Sequence, residues 1–131
     1  YSDQESSFYQ QASSIISQLL VRDWEMFISA LVLDEYFHNM IRFSKVSRHE
    51  AFSDLKKSFN KIIKMPNLNL AHPSSILADQ RKVINLMIKY NLRARDAYHL
   101  FIMKENKIKY LATFDNDFEE IFEKGVIKKF A

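Results

Sequence analysis

The chain has 131 residues but no cysteine and a single glycine, Gly125. Without cysteine it can form neither a disulfide nor a thiolate metal site, which fits the reducing cytoplasm. A dinucleotide-binding fingerprint and a phosphate-binding P-loop each need several glycines within one loop, so both are excluded. No apolar run approaches the ~20 residues that a membrane-spanning helix needs. We therefore expect a cytoplasmic protein that has no membrane span and no glycine-rich nucleotide site.

The composition is that of a folded domain. Apolar residues make up 47% of the sequence, enough for a hydrophobic core and too many for a disordered segment. Its 19 Lys and Arg residues outnumber its 16 Asp and Glu residues, which gives a formal net charge of +3. This mild basic excess permits nucleic-acid binding without being specific for it. The length predicts a single domain over residues 1–131.

Helical and extended patterns alternate along the chain. Short apolar segments typical of buried strands occupy residues 24–28, 67–71, 108–113 and 126–130. Helices are predicted over residues 6–21, 29–43, 47–65, 75–90, from about 95, and 117–122. This alternation predicts an α/β sandwich with a small, mainly parallel central sheet surrounded by helices.

Local signals mark several of these boundaries. Ser29 and Ser47 are predicted to cap the helices that follow them, since a serine hydroxyl can accept a hydrogen bond from a free N–H of the first turn. Gly125 is predicted to end a helix in the left-handed conformation. The helix after Ser47 is expected to bury one apolar face formed by Ala51, Phe52, Leu55, Phe59, Ile62 and Ile63.

Acidic residues follow the predicted strands. Asp115 and Asp117 come after the strand at 108–113, Glu35 lies in the helix after the first strand, and Asp96 lies in the first turn of a helix. Ligand sites of parallel sheets lie beyond the carboxyl ends of the strands, so we expect these four acids to face one cleft. Clustered carboxylates repel one another unless a divalent cation neutralises them. The pattern therefore predicts metal-dependent phosphodiester chemistry.

Each of these acids also has a purely structural interpretation. Asp96, Asp115 and Asp117 fit the positive end of a helix dipole, where a carboxylate is stabilising. Periodicity alone does not decide whether Asp34 or Glu35 is the solvated member of that pair.

The basic residues are open to two interpretations as well. Arg93 and Arg95 suit either a bound phosphate or an ion pair with nearby acids. The lysines of the helix after Ser47 suit either a solvated helix face or contacts to an RNA backbone; they are Lys56, Lys57, Lys61 and Lys64.

The segment from Leu92 to Phe118 resembles the second half of PIN domains, including the VapC-type toxin ribonucleases. The matching motifs are Asp96 to Leu100 at a helix start, Thr113 to Asp117 after a strand, and Glu35 after the run Ser29 to Leu33. Their order and spacing agree with the family over nearly the whole chain. PIN domains normally begin with a strand that ends in a further metal-binding Asp, and we expect that strand and its Asp to lie upstream of Tyr1.

The resemblance implies an endoribonuclease that uses Mg²⁺ or Mn²⁺. By the family pattern, Asp96 and Asp115 are the principal metal ligands, Glu35 reaches the metal directly or through water, and Asp117 is an outer ligand. Glu35, Asp96 and Asp115 are then also the catalytic residues. The substrate-binding residues expected beside them are Thr113, Arg93 and Arg95.

Three hypotheses follow. The leading one is a metal-dependent ribonuclease, for which the resemblance implies the role of toxin in a toxin–antitoxin pair, a protein antitoxin and self-association. The second is a catalytically degenerate PIN-like domain that binds RNA or protein. The third is a helical, basic interaction module whose acids are all helix caps and which binds no divalent ion.

Overall fold

A computed structural model describes residues 7–113 and 116–130. These residues form, in order, α1 Ser7–Val21, β1 Met26–Ser29, α2 Ala30–Arg42, α3 Arg48–Ile62, β2 Leu68–Ala71, α4 Arg81–Tyr90, α5 Ala94–Glu105, β3 Tyr110–Leu111, α6 Glu119–Glu123 and β4 Lys128–Lys129. Short 3₁₀ helices, Leu77–Gln80 and Asn116–Phe118, precede α4 and α6. The predicted α/β class is confirmed.

All of the described strand pairs are parallel, as the sequence predicts. Strand β1 pairs with β2, with Met26 opposite Leu68 and Ser29 opposite Ala71. Strand β3 pairs with β4, with Tyr110 opposite Lys128. The described strands therefore form two small sheets of two strands each.

The chain divides into two compact units. One comprises Trp24–Ala71 and contains β1, α2, α3 and β2; the other comprises Tyr1–Asp23 together with His72–Ala131. We call them the 24–71 unit and the 72–131 unit.

Helix α5 forms the centre of the core in the 72–131 unit. Its residues Ala97, Leu100 and Phe101 are almost completely inaccessible to solvent. Other buried residues of this core come from α4, from the region of α6 and from the residue before β4: Val83, Leu86, Tyr90, Phe118, Ile121 and Ile127. The core is thus built mainly from helix-to-helix packing, with the short sheet at its margin.

In the 24–71 unit, α2 and α3 pack together through aromatic rings. Phe37 and Phe59 meet edge to face, with ring centroids 5.4 Å apart and planes at 85°. This is a favourable arrangement for two aromatic quadrupoles. The strand β2 is held to β1 additionally by Asn69, whose Nδ2 donates to the carbonyl oxygen of Met26 at 3.2 Å.

The predicted caps are confirmed. The Ser29 Oγ accepts a hydrogen bond from the Val32 N–H at 3.1 Å, and the Ser47 Oγ accepts one from the Glu50 N–H at 3.2 Å. Helix α4 ends at Asn91, which is left-handed at φ 54° and ψ 49°. Gly125 follows α6 at φ 70°, a conformation that glycine adopts without steric cost.

Two sequence-based expectations are wrong in detail. Phe52 and Ile63 were expected on the apolar face of α3, but they are 50% and 59% exposed. At 100° per residue, both lie well away from Ala51, which is buried. The apolar face predicted from helical periodicity is therefore wider than the face that the structure buries. The strands β3 and β4 are two residues long, much shorter than predicted.

We predict that Ile121→Ala will lower the free energy of unfolding by about 2–5 kcal/mol. Ile121 is 0% exposed, so truncation removes buried apolar surface and leaves a cavity. The matched control is Ile88→Ala, because Ile88 is also helical but 76% exposed, and its change should stay within about 0.5 kcal/mol. Urea unfolding followed by circular dichroism measures both. Equal losses for the two variants would contradict the core described for the 72–131 unit.

Candidate functional site

Asp96 occupies the N-terminal turn of α5. The helix begins after Arg93, whose extended backbone (φ −69°, ψ 158°) makes it the N-cap, and no side chain caps the helix there. The carbonyl oxygen of Arg93 accepts a hydrogen bond from the Ala97 N–H at 2.9 Å. Asp96 is half-buried, while its neighbour Ala97 is fully buried. The sequence thus places a carboxylate at the positive end of a helix that is otherwise anchored in the core.

Polar contacts fix α5 near both ends. Near its start, the Tyr98 hydroxyl donates to Gln80 Oε1 at 3.0 Å, and Gln80 Nε2 in turn donates to the carbonyl oxygen of Ser74 at 3.0 Å. Near its end, Asn106 Nδ2 donates to the carbonyl oxygens of His72 and Ile102, both at 2.8 Å. These bonds restrict how far the first turn of α5, and with it Asp96, can shift.

The Tyr98–Gln80 contact was not predicted from the sequence. The two residues are 18 positions apart and lie in separate helices, so no local spacing rule connects them. The residue type alone is indicative, because the hydroxyl of a partly buried tyrosine usually finds a hydrogen-bond partner.

The motif after β3 is described only in part. Thr113 is half-buried, and Asp117 is exposed within the short 3₁₀ helix Asn116–Phe118. Phe118, the last residue of that turn, is buried in the core and anchors it. Asp115, predicted as a principal metal ligand, lies outside the described residues.

Glu35 lies on α2 in the 24–71 unit. Its helix begins at the buried Ser29, which ends β1 and caps α2 at the same time. Glu35 is half-buried and the adjacent Asp34 is exposed.

The remaining predicted site residues lie at the surface. Arg93 and Arg95 are both exposed beside the first turn of α5. Asp96, Thr113 and Asp117 belong with them to the 72–131 unit, and Glu35 belongs to the 24–71 unit. Within residues 7–113 and 116–130, no three His, Asp or Glu side chains are grouped closely enough to hold a metal ion.

A comparison with protein families matches the chain to the sequence model described as PIN domain over residues 8–124. The match includes every candidate residue, from Glu35 to Asp117. No curated protein and no solved structure matches the chain. Among the described residues there is also no helix long and apolar enough to cross a membrane.

The junction between β1 and α2 gives a test of how Glu35 is positioned. We predict that Ser29→Ala will lower the free energy of unfolding by about 0.5–2 kcal/mol, because the Val32 N–H loses its hydrogen-bond acceptor. Ser53→Ala is the control, since Ser53 is exposed in the middle of α3, where alanine is the better helix former. Chemical unfolding measures both variants. A Ser29→Ala protein as stable as the control would show that the cap contributes nothing to α2.

Proposed function

The chain belongs to the PIN-domain family, and we infer from this premise that it is a nuclease that hydrolyses RNA phosphodiester bonds with Mg²⁺ or Mn²⁺. PIN domains are in general nucleases, and those nucleases typically use divalent metals. The observation that carries the proposal is the match over residues 8–124, together with the acids that this chain has at the positions of the family pattern.

The chemistry of the donor set fits the proposed ions. Mg²⁺ and Mn²⁺ prefer hard oxygen ligands, and the candidates Glu35, Asp96, Asp115 and Asp117 all offer carboxylates. When bound, a divalent cation lowers the pKa of water near it and stabilises the negative charge that develops on phosphate oxygens. We assign Asp96 and Asp115 as principal ligands, with Glu35 acting directly or through water and Asp117 as an outer ligand.

The neighbouring polar residues are assigned to the substrate. The exposed guanidinium groups of Arg93 and Arg95 flank Asp96 along the chain and suit bidentate bonds to a phosphate. The Thr113 hydroxyl, two residues past β3, can donate to a phosphate oxygen. Each of these groups acts by orienting the scissile phosphate against the metal-binding acids.

A protein partner also belongs to the proposal. The resemblance to toxin ribonucleases implies a protein antitoxin and self-association. In support, three apolar side chains around α4 are strongly exposed: Leu77, Ile84 and Ile88. Clustered exposed apolar surface is typical of protein-binding regions.

The competing function is a catalytically degenerate PIN domain that binds RNA or protein. The observation on its side is that the described residues gather no three potential ligands into a metal-binding group. Asp115 lies outside those residues, so a measurement of metal-dependent RNA cleavage decides between the two functions.

We predict that the full chain cleaves single-stranded RNA only when Mg²⁺ or Mn²⁺ is present, and that Asp96→Asn lowers kcat/KM by more than about 100-fold. Outer-shell partners of a metal alone account for about 10- to 100-fold, so a principal ligand should exceed that range. Cleavage of a fluorescent oligonucleotide gives the rate, and a circular RNA distinguishes internal from terminal cleavage. Asp34→Asn is the control, because Asp34 is an exposed acid next to Glu35.

The outcomes separate the hypotheses. Cleavage that persists in EDTA, or that survives Asp96→Asn unchanged, would contradict the assignment of the metal centre. RNA binding without cleavage under any metal would favour the degenerate domain.

A second prediction concerns stability rather than turnover. Mn²⁺ at about 100 times its Kd should raise the free energy of unfolding by about 2.7 kcal/mol, since it binds the folded chain only. Asp96→Asn should abolish this increment and Glu35→Gln should reduce it, whereas Asp34→Asn should leave it intact. Urea unfolding with and without Mn²⁺ measures the increment. If Mn²⁺ does not stabilise the unaltered chain, the metal-binding assignment is contradicted, and Asp96 serves only as a charge at the start of α5.

A further inference from the structure

Helix α3 and the turn that follows it carry an excess of positive charge. Residues 48–64 contain five Lys or Arg residues and two Asp or Glu residues, a net charge of +3. Other segments are basic as well, since residues 81–95 contain five Lys or Arg residues and no Asp or Glu. What distinguishes α3 is the aromatic ring that lies among its cations.

The lysines of this segment are available to a ligand. Lys56, Lys57, Lys61 and Lys64 are all exposed. In the part of the chain that the structure describes, their side chains take part in no hydrogen bond or ion pair. Among the described residues, no carboxylate is therefore in direct contact with these lysines.

An aromatic ring lies among these charges. Phe52 is 50% exposed, and the Arg48 guanidinium lies 5.6 Å from the centroid of its ring. On a helix with 100° per residue, Arg48, Phe52 and Lys56 follow one another at intervals of 40° and form one stripe, and Lys57 lies 100° beyond Lys56. This stripe borders the face that packs, on which Ala51 is buried and Phe59 contacts Phe37.

Phe52 therefore offers a half-exposed aromatic ring between two cationic residues of the same stripe, Arg48 and Lys56. Single-stranded nucleic acids are bound by this combination, in which bases stack on aromatic rings and cations track the phosphates. From Arg48 to Lys57 the helical rise is about 14 Å, which allows contacts to at least two phosphates.

We propose that a surface of α3 formed by the stripe Arg48, Phe52 and Lys56 and by the neighbouring Lys57 binds the single-stranded RNA substrate. One base stacks on Phe52 beside Arg48, and the lysines contact phosphates. This inference rests on the proposed ribonuclease function, to which it adds a substrate-binding surface outside the acidic motifs.

The first test measures binding of a fluorescent single-stranded RNA by anisotropy over a range of salt concentrations. The full chain carries Asp96→Asn and is kept in EDTA, so that no cleavage occurs. Lys56→Gln with Lys57→Gln should weaken binding and reduce the slope of log affinity against log salt by about 1.4, because each phosphate contact to a single strand contributes about 0.7.

The control for charge is Lys104→Gln with Lys109→Gln. Both lysines are exposed, and they lie toward the other end of α5 from Asp96 and outside α3. This variant has the same change in net charge, so its affinity and slope should stay close to those of the parent. Equal losses in the two double variants would indicate a general effect of charge and would overturn the proposal.

The second test isolates stacking. Phe52→Leu should lower the affinity for RNA by about 5-fold or more while leaving the salt slope unchanged, because stacking on an aromatic ring is worth about 1–3 kcal/mol per base. Phe43→Leu is the matched control, since Phe43 is also strongly exposed and has the Arg42 guanidinium 5.3 Å from its ring centroid. Equal losses at Phe43 and Phe52 would contradict stacking on α3.

The results separate this inference from the proposed function. A chain that cleaves RNA with metal, but whose α3 variants bind like the controls, overturns the inference alone. A chain that never cleaves RNA, but loses binding with the α3 changes, supports the RNA-binding surface and contradicts the nuclease. Failure of the parent chain to bind RNA at low salt overturns the inference outright. Circular dichroism of each variant verifies that the fold is retained.

Discussion

The burial of α5 is the constraint on which the 72–131 unit depends. Four consecutive residues of this helix, Leu100 to Met103, are buried, so the helix is covered around most of its circumference. A helix that is apolar on all sides cannot lie at a surface, and the short strands β3 and β4 contribute little area to cover it. The core is therefore organised around α5, and its polar first turn has to emerge where the packing ends. Asp96 is half-buried at that point because the helix leaves the core there.

The same arrangement explains why Asp96 alone is ambiguous evidence for a metal. An acid at the first turn of a helix gains about 0.3–1 kcal/mol from the dipole, which is a sufficient structural reason for its presence. The helix dipole does not explain why Asp96 occurs together with Asp115, Asp117 and Glu35 in this order. The resemblance to the PIN-domain family pattern offers a reason. A stabilising role and a metal-binding role for Asp96 are compatible, because the helix dipole favours the ionised carboxylate that a cation requires.

Much of the fold could be predicted from local signals, whereas the features that depend on tertiary packing could not. Ser29, Ser47 and Gly125 were identifiable because a cap or a left-handed residue depends on its immediate neighbours. The lengths of β3 and β4 were not identifiable, because a run of apolar residues indicates burial but does not determine how many residues form backbone hydrogen bonds with a neighbouring strand. Phe52 was assigned to the wrong face because helical period alone does not fix the width of the apolar stripe.

The candidate site was predictable to a different extent. The positions of Asp96 and Glu35 on their helices follow from the sequence, and the structure places both as expected along those helices. The link from Tyr98 to Gln80 joins two helices and depends on tertiary packing, so sequence spacing could not reveal it. Whether the acids act together depends on Asp115, which lies outside the described residues.

An acidic centre creates a difficulty for any enzyme that acts on RNA, since carboxylates and phosphates repel each other. A bound cation offsets that repulsion locally, but screening confines its influence to about 8–10 Å at moderate salt. The rest of the substrate needs positive charge elsewhere, and a chain with an overall charge of only +3 has to supply it locally. In the proposed arrangement, Arg48, Lys56 and Lys57 of α3 provide this attraction outside the acidic motifs, and they make the rate of association dependent on salt. Local basic surfaces are therefore what would allow a nearly neutral protein to combine the proposed acidic centre with an anionic substrate.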